Sequence, residues 1–199
     1  SLRMMDIQIA PESFFITSGI FFLFSLGYPS CSNNLSIPEQ ICHIKEGFKK
    51  FYKGEDHALI PLPIEKGIFV PTPVNKIETI LRKLNISPST KIIDLGSGDG
   101  RFVILSALFG AWAKGIEYNE ALYNISIEMK ERFKSIVDMK KVEFIRGDFL
   151  EEDLSQYDII YYYLYGTKKI EELVQKIQRE LKPGAKFVVY GTNVELFSE

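Results

Sequence analysis

The chain is poor in the residues that do much of protein redox, metal and covalent chemistry: two cysteines, two histidines and one tryptophan among 199 residues. Cys31 and Cys42 are too few for a disulfide framework and read as free thiols of a reducing cytoplasm. Both precede the glycine-rich region at 96–100, so no thiol nucleophile is available there. His43 and His57 stand too far from other ligand types to suggest a metal site. Charge of one sign is also lacking, since 24 basic against 26 acidic side chains leave −2, which argues against a general nucleic-acid binder. No apolar run reaches the roughly 20 residues that span a bilayer, and the uncharged stretch 13–28 falls short of it. What remains, 46% hydrophobic and 25% charged, is enough for one globular domain with a full core.

The most informative stretch is Ile-Ile-Asp-Leu-Gly-Ser-Gly-Asp-Gly-Arg-Phe at 92–102, where an apolar strand runs through three alternating glycines into a helical pattern. Gly96 and Gly98 let the backbone turn sharply and approach a bound molecule, which the following helix meets with its N-terminal amides. The third glycine comes one residue too early for the dinucleotide fingerprint G-x-G-x-x-G, and Arg101 takes the place that fingerprint reserves. Asp94 would repel a pyrophosphate and tolerate a cation. Downstream, Ala113–Glu117 reads as a second strand ending in an acid, and Glu117 can accept both hydroxyls of a ribose. Further strands are expected at 142–145, 157–164 and 185–190, with helices at 100–109, 120–135 and 168–181. This alternation predicts an α/β fold with a doubly wound, mostly parallel sheet of order 3-2-1-4-5.

Asp94-Leu-Gly-Ser-Gly-Asp-Gly100 resembles motif I of the class I S-adenosyl-L-methionine (SAM) methyltransferases. The Val-Pro-Thr-Pro element at 70–73 narrows the resemblance to the small seven-strand protein-lysine methyltransferases, a group with archaeal and mitochondrial members, over about residues 67–191. The resemblance implies a Rossmann-like methyltransferase sheet, SAM as cofactor, S-adenosyl-L-homocysteine as product, and a protein substrate with an accessible lysine. It implies cofactor contacts from Thr72, Asp94, Gly96, Gly98 and Glu117. Asp148 would accept from the adenine amino group, with Phe149 packed on the ring. Thr72 has a competing reading as N-cap of a helix that starts at Pro73, and Asp148 as cap of a following turn. Acceptor-side residues belong at 161–166, where Tyr163 and Tyr165 are the catalytic choices because their rings can hold an amine and a sulfonium by cation–π attraction. Strand alternation puts Tyr161 and Tyr163 on one face and Tyr162 on the other. Small-molecule or RNA methylation, or a SAM-binding module without turnover, are the alternatives.

Two departures from that group stand out. The chain ends eight residues after Gly191, where these enzymes add two more strands, so a sheet edge is expected to be open unless residues 1–66 cover it. The expected division is an N-terminal extension, 1–66, and a methyltransferase domain, 67–199. Within the extension, residues 13–28 can be a buried element, a membrane anchor or an export signal. Ser36 and Glu39 form a capping-box signature before Ile37, Ile41, Ile44, Phe48 and Phe51, which predicts an amphipathic helix, and 54–63 reads as a linker.

Overall fold

The computed structural model describes residues 7–9, 35–53, 60–64, 67–164 and 170–191. Residues 13–28, Cys31, His57 and Tyr165 lie outside them. In chain order the elements are β1 (Ile7–Ile9), α1 (Ile37–Phe51), β2 (Ile60–Ile64), β3 (Gly67–Phe69), α2 (Val74–Lys83), β4 (Lys91–Leu95), α3 (Arg101–Leu108), β5 (Trp112–Glu117), α4 (Glu120–Arg132), β6 (Val142–Arg146), β7 (Ile159–Leu164), α5 (Ile170–Glu180) and β8 (Lys186–Gly191).

One parallel sheet runs β1-β8-β7-β4-β5-β6. Its last five strands have the expected order 3-2-1-4-5, which puts the switch point between β4 and β7. The edge expected to be open beside β8 carries β1, with Ile7 opposite Phe187 and Ile9 opposite Val189. An N-terminal segment therefore blunts the edge that would otherwise present unpaired backbone groups.

A parallel sheet is covered on both faces, so its strands are apolar almost throughout. Period-two alternation divides their side chains between two cores. Ile92, Tyr161 and Val188 face the layer of α1, α2, α3 and α4, while Ile93, Leu95, Ile116 and Ile160 face Leu173 and Ile177 of α5. The tyrosines divide as expected: Tyr161 and Tyr163 belong to the first face and Tyr162 to the second.

Helix α1 is part of that first layer. Glu39 closes its first turn by accepting from the amide and the hydroxyl of Ser36, both at 2.7 Å. Ile41, Ile44 and Phe48 are buried, and burial of each is worth about 1.5–3 kcal/mol against leaving it in water. The Phe48 ring meets Phe133 at 5.4 Å.

Two local expectations need correction. The stretch read as a linker overlaps β2, which pairs antiparallel with β3. Pro61 and Pro63 disguised it, yet a strand with no second neighbour among the described residues tolerates residues that cannot donate a ladder bond. Helix α2 begins at Val74 with Pro73 as its cap residue, and Thr72 does not cap it. The Thr72 hydroxyl is bonded elsewhere, at the centre of the site.

Candidate functional site

A cleft of about 280 Å³ lies over the carboxyl ends of β4, β5 and β7, walled on its far side by residues 69–72. The volume sits near the lower end of the roughly 300–1,000 Å³ typical of small-molecule sites. Strand β4 delivers Asp94 to its floor. The chain then turns because the amides of Gly96 and Ser97 both donate to the Ile116 carbonyl, at 2.9 and 3.0 Å, which binds the glycine loop to the end of β5. Gly96 has φ +82°, and a Cβ there would meet nothing within 4 Å, so its bare backbone faces open space. Gly98 has φ +55°, and a Cβ there would come 2.4 Å from the Phe69 ring. Phe69 thus packs onto the loop only because the residue is glycine.

The electrostatics of the cleft are lopsided. Glu117 accepts from the amides of Gly98 and Asn119, each at 2.8 Å. Burial pushes its pKa above the ordinary carboxylate range, and those amide bonds hold it back in part. Asp94 is 4% exposed, and its carboxylate makes no hydrogen bond among the described residues. Burial first, then the charges of Glu117 and Asp99, hold its carboxyl well above the ordinary range. Ser97 is also buried, and its hydroxyl lacks a hydrogen-bond partner among the described residues. Two carboxylates and an orphaned hydroxyl around open space fit a ligand that brings positive charge and hydrogen-bond donors. They do not fit a phosphate.

On the α1 side of the loop the opposite holds. Arg101 donates from Nε to both oxygens of Asp99 at 3.0 Å and from Nη2 to Oδ2 at 2.7 Å. Its Nη1 donates to the Thr72 carbonyl at 3.2 Å, and its guanidinium lies 4.6 Å over the Phe48 ring. The Tyr52 hydroxyl donates to Asp99 at 3.0 Å. Burial, then the Asp99 charge, pushes the Tyr52 hydroxyl far above its ordinary pKa, so it remains a donor. A single guanidinium therefore joins α1, the 70–73 segment and the glycine loop.

The acceptor end is aromatic. The hydroxyls of Thr72 and Tyr161 are 2.9 Å apart, and the Tyr161 ring stacks on Phe102 at 3.7 Å. Tyr163 stacks on Tyr190 at 5.5 Å, and Tyr162 meets Phe149 edge-on at 6.0 Å. All three strand tyrosines reach the cleft because it opens where β7 ends.

Of the residues singled out in the sequence, Thr72, Asp94, Gly96, Gly98, Glu117, Phe149 and Tyr163 line this one cleft. Asp148 is not among its lining residues. Its carboxylate accepts from the Leu150 amide at 2.9 Å and so caps the turn that presents Phe149. Sequence reasoning passed over Ser97, Asp99 and Tyr52, and it put Tyr161 in the acceptor segment without choosing it. Ser97 and Asp99 were legible as the variable positions of the glycine motif, whereas nothing local marked Tyr52, whose partner is 47 residues away.

The ANTKMT methyltransferase domain family matches residues 94–195. A protein-lysine N-methyltransferase of Saccharolobus islandicus is 35% identical over 127 residues, covering 60% of this chain and 73% of that protein. A lysine N-methyltransferase of Caenorhabditis elegans, named for an ATP synthase subunit, is 31% identical, covering 55% of this chain and 58% of its own length. Among solved structures, an RNA methyltransferase from Salinibacter ruber in complex with S-adenosyl-L-homocysteine superposes with a TM-score of 0.55 at 30% identity, covering 60% of this chain and 76% of that one.

Proposed function

The chain belongs to the ANTKMT methyltransferase domain family and is a SAM-dependent methyltransferase, and on that premise we propose that it methylates lysine side chains of a protein substrate. The observation that carries the reading is the meeting, in one cleft, of a buried acid, Asp94, whose carboxylate makes no hydrogen bond among the described residues, with an aromatic wall of Tyr161, Tyr162 and Tyr163.

Bound SAM supplies the electrophilic methyl group of its sulfonium. Asp94 and the Ser97 hydroxyl would receive its cationic amino-acid part, Gly96 would leave room for it, and the free lone pairs of Glu117 would accept from the ribose. Phe149, which lines the cleft, would pack on the adenine ring, and Asp148, which does not line it, would hold the turn that presents Phe149. The acceptor amine must arrive neutral. From a reference pKa near 10.4, that costs roughly 4 kcal/mol at neutral pH, and a desolvating aromatic wall lowers the cost by disfavouring the ammonium. The aromatic wall would hold the neutral amine in line with that methyl group, and the proton the amine sheds on transfer would leave to solvent. The protein's share of the work is alignment and exclusion of water. Tyr163 is the residue we assign to the acceptor, and Tyr165, one residue beyond the described strand, is assigned with it.

The test is transfer of labelled methyl from SAM into a cell lysate, followed by acid hydrolysis and separation of the methylated amino acids. Label in methyl-lysine is the expected result. Label confined to RNA, the substrate named for the Salinibacter ruber enzyme, would replace the acceptor assignment. Label in no fraction, with SAM bound, would leave a binding module. Tyr163→Ala should cut turnover at least tenfold while SAM affinity stays within twofold.

A further inference from the structure

The same strands carry a second cavity at their other end, of about 480 Å³. Lys91, Trp112 and Val142 open β4, β5 and β6, so this cavity lies roughly 17 Å, one five-residue strand, from the cofactor cleft. Lys91, Lys114, Lys130, Lys140 and Lys141 line it, and Glu143 is the single acid among its described lining residues. In a chain with net charge −2, five ammonium groups around one hollow are a segregation that average composition does not produce.

The lysines have different states. Lys114 is paired with Glu152 at 2.9 Å, and the same carboxylate accepts from the Tyr157 hydroxyl. Lys130 and Lys141 each donate to a main-chain carbonyl, of Val142 and Gly110, which fixes their heads without neutralising them and leaves donors unspent. Lys91 and Lys140 are exposed at the rim. Neighbouring acids are engaged: Asp158 with Lys182, and Asp138 with the Lys140 amide. Trp112 lines the same cavity and is 49% exposed, an aromatic face left in water beside positive charge.

We propose that this cavity is a second ligand site, for a nucleoside diphosphate, separate from the methyl-transfer cleft. Lysine ammonium groups bind phosphate as point charges. The indole face stacks a base without regard to its identity. The volume suits one nucleotide.

Trp112 is the sole tryptophan, so fluorescence excited at 295 nm reports on this cavity alone. The experiment titrates GDP into the full chain saturated with S-adenosyl-L-homocysteine, which keeps the probe out of the cofactor cleft. A saturable change in Trp112 emission is expected, weakening with added salt. Guanosine and inorganic phosphate should each bind at least tenfold more weakly than GDP. Lys91→Glu combined with Lys140→Glu, both at exposed positions, should weaken GDP at least tenfold and leave SAM affinity unchanged. No saturable change up to millimolar GDP overturns the site. Guanosine as tight as GDP removes the role of the lysines, and phosphate as tight as GDP removes that of Trp112; either result overturns the nucleotide assignment. Salt-independent GDP binding overturns it as well, even if the double variant fails to fold.

Discussion

Asp94 and Asp99 stand at the two sides of one glycine turn, 4% and 1% exposed, and the protein treats them in opposite ways. Asp99 is fully compensated, by the Arg101 fork and the Tyr52 hydroxyl. The Asp94 carboxylate makes no hydrogen bond among the described residues, and the charges that act on it most are two more carboxylates. Burial of a charge without a partner costs several kcal/mol. A fold keeps such a group when something outside the chain repays the cost. The comparison assigns the two halves of the loop different work: the Asp99 side holds the structure together and the Asp94 side waits for the cofactor.

The largest expected effect comes from breaking the compensated side. Arg101→Ala leaves Asp99 buried and unpaired and should destabilise the fold by about 3–5 kcal/mol, measured by urea unfolding. A loss under about 1 kcal/mol would mean that the pair is solvated in solution and the contrast between the aspartates false.

Asp94→Asn should work in the opposite direction. At a pH above the raised pKa of Asp94, removing a buried charge whose carboxylate makes no hydrogen bond among the described residues should stabilise the free protein by about 1–3 kcal/mol. The same change should weaken SAM at least tenfold in calorimetry. A variant both less stable and equally able to bind SAM would sink the assignment. The pH dependence sharpens the point. Because the folded-state pKa of Asp94 is raised, its contribution to stability is full at low pH and is lost as pH rises through that raised value. Glu117 acts in the same sense. Over that interval the free protein's melting temperature should fall while SAM affinity rises, since the ionised acid is what the cationic cofactor meets. Asp94→Asn should flatten both curves, and parallel profiles for variant and wild type would assign the titration elsewhere.

How much of this was legible in the sequence follows from how far each interaction reaches along the chain. Strand–helix alternation is local, so the sheet order was readable, and Asp94, Gly96, Gly98 and Glu117 sit where strands meet turns. Thr72 was readable as a site residue by resemblance, while its residue type argued for a helix cap. Its actual partner, Tyr161, is 89 residues away, and the local rule could not see it. The Arg101 cluster escaped for the same reason. Arg101 was informative only as the residue that spoils a dinucleotide fingerprint, because its contacts to Thr72 and Phe48 exist only once α1 and the 70–73 segment are folded onto the loop. Strand β1 is three residues long, too short for any periodicity to register.

The smallest expected effect tests whether the two sides of the loop are separable at all. Tyr52→Phe removes one hydroxyl from Asp99 and keeps the ring, whose centre lies 5.9 Å from the Arg101 guanidinium. Asp99 still has Arg101, so the loss should be about 1–2 kcal/mol of stability. If the Asp99 side is only structural, SAM affinity should stay within twofold of wild type well below the melting transition. A larger fall in affinity, with the fold intact, would show that α1 reaches the cofactor through Asp99, Arg101 and the Thr72 carbonyl. In that case the glycine loop is one mechanical unit, its compensated half sets the position of its uncompensated half, and the N-terminal helix is part of the cofactor site although none of its residues lines the cleft.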